Sequence, residues 1–189
     1  MRLTKEHAQQ NRELILETAS RLFRLRGVEN VSVGDIMKES GFTHGGFYNH
    51  FNSKDELAAQ AIACAFESSA GGLSEKLGEG KNPQRALASV IAEYLSPAYR
   101  DTATGGCPAA ALPIDAARNS KDVQTAFAAG IESYLEVFAA PMHGSKQEAR
   151  KQAIALLSGL VGALMLSRAV RHGNPRLSDE LLSSTRKML

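Results

Sequence analysis

Apolar residues recur along this chain at spacings of three and four, the period of helices buried on one side. Leu14, Ile15, Ala19, Leu22 and Phe23 form such a face between Lys5 and Arg26, and Gly27 follows as a stop. Val33, Ile36 and Met37 form a shorter face behind Ser32, a capping residue. Gly41-Phe42 then supplies a sharp turn, because glycine reaches the left-handed conformation without steric cost. Thr43 caps a second short helix whose Phe47 and Phe51 lie one turn apart and share a buried face. Ser53 and Glu56 have the spacing of a capping box, opening a helix that runs toward Lys76, with Gly71-Gly72 as its weak point.

The pattern continues to the end. Asn82-Pro83 opens a helix through Leu87, Val90, Ile91, Tyr94 and Leu95 to about Ser96, and Pro97 closes it. Cys107-Pro108 starts another that Pro113 must end or kink, and Asp115 and Arg118 are spaced to pair on its surface. Ser120 caps a longer one carrying Val123, Phe127, Ile131, Tyr134, Leu135 and Phe138. Ser145 and Glu148 form a further capping box for a helix over 146–171, ended by Gly173-Asn174-Pro175, and a last helix covers about 178–187. No segment alternates as a strand does. The pattern predicts an all-α fold of about nine helices, divided into a helical unit over 1–53 and a larger one over 54–189, with the helix from Lys54 as the mechanical link.

The face left over after Phe47 and Phe51 are buried is chemically unusual. Thr43, His44, Tyr48 and Asn49 are hydrogen-bonding types, while Gly45 and Gly46 cost helix stability. Adjacent glycines are explained if this turn must approach another surface closely, as a recognition helix does on entering the major groove. Lys54 stands where its charge and free backbone amides can both meet a phosphate.

Gly41, Gly46, Phe47, Tyr48, His50, Phe51, Lys54 and Leu57 stand at the spacings of the signature of the tetracycline-repressor (TetR) family, which the first third of the chain resembles. Ser32 replaces the commoner Thr, Met37 and Ser40 stand where Ala is usual, and His44 occupies a variable base-reading position. The resemblance implies a helix-turn-helix regulator, with Thr43, His44 and Asn49 near base edges or phosphates and Gly45 and Gly46 allowing close backbone contacts. Tyr48, His50 and Lys54 are then phosphate clamps, and the Ser32 hydroxyl donates to a phosphate at its helix start. The implied partner is a palindromic double-stranded operator bound by a homodimer, the implied switch an unidentified small-molecule effector, and the usual action repression. No cofactor and no metal site are expected.

Composition adds limits. The 189 residues are 43% apolar, enough for a real core, and the net charge is +2. Residues 1–54 hold eight Lys/Arg against six Asp/Glu, and the other 135 hold fourteen of each, so the excess lies at the proposed DNA end. Arg2 and Lys5 either reach the DNA backbone or belong to a frayed terminus. The longest apolar run, Ile154 to Ser167, has 14 residues against about 20 for a membrane span, so a cytoplasmic protein with reduced Cys64 and Cys107 is expected.

Ala155, Gly159, Gly162 and Ala163 lie beside Leu156, Leu160 and Leu164, small residues that let another helix come close. With Leu181 and Leu182 they predict a four-helix bundle built from helices 146–171 and 178–187 of two subunits. The alternative is packing within one chain. Tyr94 and Phe127 are candidates for the effector site, as is Cys107, whose place at a helix start favours a thiolate and makes it a candidate redox or electrophile sensor. Its alternative is a small apolar residue lining an ordinary pocket, and Cys64 reads as packing. A thiol-dependent enzyme, with Cys107 as nucleophile and His143 or His172 as base, is the remote rival.

Overall fold

The computed structural model describes residues 5–78, 82–102 and 106–189; Arg2 lies outside them. They form α1 (Lys5–Arg26), α2 (Val33–Glu39), a 3-10 helix (His44–Asn49), α3 (Lys54–Gly78), α4 (Pro83–Tyr94) and α5 (Pro97–Arg100). Then come α6 (Pro108–Ala111), α7 (Pro113–Arg118), α8 (Lys121–Ala139), α9 (Lys146–Val170) and α10 (Pro175–Met188). The fold is all-α, with no strand among the described residues. These segments outnumber the nine expected because Pro97 starts a short helix of its own and Pro113 divides the helix after Cys107 into α6 and α7 at Leu112.

The first three segments enclose one apolar cluster. Phe23, Ile36, Met37, Phe47, Phe51 and Leu57 are each at most 2% exposed. Ser32 starts α2 by accepting the Asp35 amide at 3.0 Å, and Asp35 accepts the Ser32 amide in return. At the other end Phe42 N–H donates to Met37 O at 2.8 Å and Gly41 N–H to Lys38 O at 3.2 Å, with Gly41 at φ +81°. That closing motif needs the left-handed residue glycine provides, and it turns the chain sharply toward the 3-10 helix.

Helix α3, 25 residues and therefore about 37 Å long, packs on α1 near its start and on α8 farther along. Its contact with α8 turns on Gly130: a methyl group there would lie 2.2 Å from Phe66 Cγ. The Phe66 ring sits in the space this frees, edge-on to Phe127 (centroids 5.3 Å apart) and Tyr134 (5.2 Å), one turn to either side.

Helix α9 begins at the expected Ser145–Glu148 capping box and buries Leu156, Leu157, Leu160, Ala163 and Leu164. Its length and apolar composition alone would suit a membrane span, but this face belongs to the protein core. The stripe of small residues therefore divides: Ala163 points inward, Gly159 lies against the Leu189 side chain, and Gly162 faces open space. On the outer side Ile154 and Leu166 are exposed, Leu166 to 57%, alongside Leu177 and Met188 of α10. Leu182 is buried within the chain and Leu181 half-buried.

Candidate nucleic-acid interface and effector cavity

The segment expected as a second short α-helix is a 3-10 helix, with Gly46 N–H donating to Thr43 O at 3.0 Å and His50 N–H to Phe47 O at 2.9 Å. Two adjacent glycines and six residues of length explain the tighter winding, since neither sustains α-helical bonding alone. Thr43 is at the N-cap position but makes no capping bond through its side chain. Phe47 and Phe51 stack inside the unit with centroids 5.6 Å apart, and the Arg12 guanidinium covers the Phe51 ring at 4.8 Å.

Everything else on this segment faces outward. Thr43, His44, Gly45 and Asn49 are exposed, Tyr48 is 67% exposed, and Gly46 and His50 are half-buried. Tyr48 stands edge-on to Phe47 at 5.2 Å and to His44 at 6.5 Å, so its ring is braced while its hydroxyl end is free to reach out. A methyl group at Gly45 would meet nothing within 4 Å, and one at Gly46 only Met37 Cε and Thr43 Oγ1, both at 3.7 Å. Packing within the chain therefore does not require either glycine.

The flanking positions are partly engaged. The Ser32 hydroxyl, exposed, donates to Asp35 Oδ2 at 2.6 Å, so its proton must change partners before it can meet a phosphate. These bonds from Ser32 hold the Asp35 carboxyl below its usual range. At the start of α3 the Ser53 hydroxyl accepts the Glu56 amide at 3.0 Å, but Glu56 reaches past Ser53 to Asn52, accepting its backbone N–H at 2.9 Å and its side-chain amide at 2.8 Å. The expected reciprocal box is therefore shifted by one residue, and the Asn52 bonds lower the Glu56 carboxyl pKa. Lys54 is half-buried beside this start.

A separate cavity of about 220 Å³ lies among α3, α4, α5, α8 and α9. Tyr94, Tyr99, Tyr134 and Cys107 converge on it, and Leu73, Val90, Phe138, Leu157 and Leu160 supply apolar wall. Phe127, by contrast, packs on Phe66 and is absent from this lining. Cys107 is 4% exposed and stands at the N-cap of a helix of only four residues. Its Sγ lies 3.5 Å from Tyr134 Oη, which donates to Ser69 Oγ at 2.6 Å. Burial, and next the Cys107 thiol, raise the Tyr99 phenol to about 12 and the Tyr94 phenol well above its ordinary range. Gly105 lies outside the described residues.

Neither proposed catalytic base is among the described residues that line the cavity with this thiol. His143 contacts Gln84 at 2.7 Å on the turn before α9, and His172 accepts from Arg171 just after it. Cys64, half-buried on α3, has its thiol pKa raised by burial and by Glu67 and Glu17. Among the described residues no cluster of three His, Cys, Asp or Glu could hold a metal ion.

Among the described residues, hydrogen bonds join the cavity's neighbourhood to the N-terminal unit. Arg24 of α1 donates to Gly106 O at 3.1 Å, beside Cys107. Val28 N–H donates to Asp115 Oδ1 at 2.6 Å, and Asn119 donates to Glu29 at 3.2 Å. Asp115 thus serves the chain crossing rather than Arg118; no Asp115–Arg118 ion pair occurs among the described residues. Sequence periodicity carries no signal for such a contact, because it joins residues far apart in the chain.

Known proteins share both parts. Residues 15–61 match the bacterial regulatory proteins of the tetR family, and residues 83–177 match the C-terminal domain of LmrA/YxaF-like transcriptional regulators. The chain is 30% identical over 171 residues to the uncharacterised HTH-type transcriptional regulator YxaF of Bacillus subtilis, covering 88% of this chain and 90% of that protein. It is 38% identical to the HTH-type regulator AcrR of Shigella flexneri over 103 residues, 54% of this chain and 46% of AcrR. The fold superposes on the reduced form of E. coli NemR with a TM-score of 0.81 at 19% identity, covering 95% of this chain and 94% of NemR. These relatives are transcriptional regulators, not enzymes, and their family binds DNA operators, typically as dimers, through a helix-turn-helix unit coupled to a ligand-binding C-terminal domain. The chain belongs to the TetR family of bacterial transcriptional regulators.

Proposed function

We propose that this regulator is a cytoplasmic repressor that binds a palindromic operator as a homodimer and leaves it when a small molecule occupies the cavity. The observation that carries this is the edge from Thr43 to Asn49: exposed polar side chains, with Gly45 exposed and Gly46 half-buried, on a buried apolar base, and no packing role for either glycine. Thr43, His44 and Asn49 contact base edges or nearby phosphates, Gly45 and Gly46 bring the backbone close, and Ser32, Tyr48, His50 and Lys54 hold phosphates. Residues 1–53 form the DNA-binding domain and 54–189 the effector and dimerisation domain. The exposed apolar residues Ile154 and Leu166 of α9 and Leu177 and Met188 of α10 support the dimer.

Effector binding works as a population shift between a DNA-fitting arrangement and one whose two recognition segments no longer match successive major grooves. A swing from 1:99 to 99:1 requires about 5.5 kcal/mol of discrimination between the two states. Light scattering of the purified chain and anisotropy titration on duplex DNA test the reading together. A dimer in wild type, a monomer in Leu166→Glu, and affinity that falls steeply between about 50 and 200 mM salt are expected. A salt-independent monomer contradicts it.

A second reading is that Cys107 senses electrophiles, supported by its thiol lining the same cavity. An activated alkene would take the sulfur at its β-carbon and the thiol proton at its α-carbon, one carbon–carbon π bond and one S–H bond being replaced by C–S and C–H bonds. Loss of this response in Cys107→Ser, with non-covalent effectors still active, is its expected result.

A further inference from the structure

One fully buried hydroxyl on the cavity wall has no hydrogen bond among the described residues. The Tyr94 hydroxyl is buried and makes no hydrogen bond among the described residues, although the Cys107 thiol lies in its surroundings, whereas Tyr134 donates to Ser69 Oγ. A buried hydroxyl without a partner is costly, and a ligand atom that accepts from it recovers that cost. The Tyr94 and Tyr99 rings lie tilted against each other with centroids 4.8 Å apart, so the hydroxyl stands on an aromatic wall.

Charge and size narrow the occupant. Among the described residues of the lining the charged side chains are Lys76 and Glu93, which pair with each other at 2.7 Å and remain about half exposed, near the solvent. An ion inside would be desolvated without a counter-charge. The volume of about 220 Å³ exceeds the roughly 150 Å³ of a cavity that takes benzene and falls below the about 300 Å³ at which pockets for larger ligands begin. It fits one ring with a short substituent.

We propose that the cavity recognises an uncharged, ring-sized molecule bearing one hydrogen-bond acceptor, which accepts a hydrogen bond from the Tyr94 hydroxyl. The inference rests on reading this cavity as the effector site. An aryl ketone is the simplest probe of the class: its ring stacks on the tyrosine wall, its alkyl arm meets Leu157 and Leu160, and its carbonyl oxygen accepts from Tyr94.

Calorimetric titration of the full chain with acetophenone, ethylbenzene and benzoate, repeated on Tyr94→Phe, tests it. In wild type acetophenone should bind about tenfold tighter than ethylbenzene, and benzoate should not saturate. Tyr94→Phe should bring acetophenone down to the level of ethylbenzene and leave ethylbenzene unchanged, with an unaltered helical melting curve. Acetophenone binding no tighter than ethylbenzene, a preference that survives in Tyr94→Phe, or benzoate binding as well as acetophenone would overturn the proposal. The wild-type comparison stands even if the variant fails to fold. Because these titrations contain no DNA, the recognition is judged separately: a ketone bound in the expected pattern that leaves DNA affinity unchanged counts against the cavity as effector site alone.

Discussion

Asp115 of α7 accepts the Val28 backbone N–H at 2.6 Å, joining the wall segment that begins at Cys107 to the turn that leads into the helix-turn-helix unit. The fit is close, since a methyl group at Gly27, itself at φ +81°, would lie 2.9 Å from the same carboxylate oxygen. Asp115→Ala leaves this amide without its charged acceptor, a loss of about 1–3 kcal/mol. The melting temperature should fall by roughly 2–12 °C, and effector should release DNA less completely from the variant than from wild type. Unchanged effector coupling, measured by anisotropy with and without ligand, would remove Asp115 from the transmission route.

Substitutions at Gly45 and Gly46 should separate folding from DNA binding. Neither position has a steric conflict with an added methyl group, so Gly45→Ala and Gly46→Ala should fold with unchanged or slightly raised melting temperature, alanine being about 1 kcal/mol better in a helix. DNA affinity should nevertheless drop at least tenfold in one or both, because the methyl occupies space the backbone needs against the duplex. Wild-type affinity in both would show that the approach is not close.

Lys54 and Asn49 should differ in kind. Lys54→Ala should weaken binding to all duplexes alike and reduce the steepness of the log-affinity against log-salt plot by about one. Asn49→Ala should instead change which sequences are preferred. Equal loss on every sequence for Asn49→Ala would assign it to the backbone.

The charged clamp on α5 gives a pH test. Asp101 is held at about 2, below its ordinary 3.8, by hydrogen bonds first from Arg100 and then from Arg171. Arg100 also reaches Ser178 and Asp179 of α10, both at 2.7 Å, so the clamp ties the Tyr99 wall to α9 and α10. A carboxyl depressed in the folded state adds stability above its unfolded pKa and loses it as pH falls through the folded one. The melting-temperature advantage of wild type over Asp101→Asn should be full at pH 5 and vanish between about pH 4 and 2. An advantage that grows on acidification would reverse the assignment.

Much of this was readable from local signals. Ser32, Gly41, Ser145 and Asn82-Pro83 each mark a helix boundary through their own backbone or side-chain chemistry, and each stands at that boundary in the fold. What resisted reading depended on partners distant in sequence. Gly130 looks like an ordinary weak point in a helix until Phe66 is seen against it. Glu56 chose Asn52 over Ser53, a difference of one residue that spacing rules do not resolve. The stripe on α9 was visible, but which small residues face inward depended on α8 and α10. In the cavity, Tyr94 was identifiable as a candidate, while Phe127 on the same kind of apolar face was not distinguishable from core by period alone.

The most direct measurement is selection of bound duplexes from a random DNA pool by the purified protein, followed by inspection of the enriched sequences for twofold symmetry. Two recognition segments related by a dyad should enrich a palindrome whose half-sites lie about one helical turn apart, or a multiple of it, and Gly46→Ala should fail to enrich it. No enrichment over the starting pool, or a motif without symmetry, would contradict DNA reading by a dimer through residues 43–54.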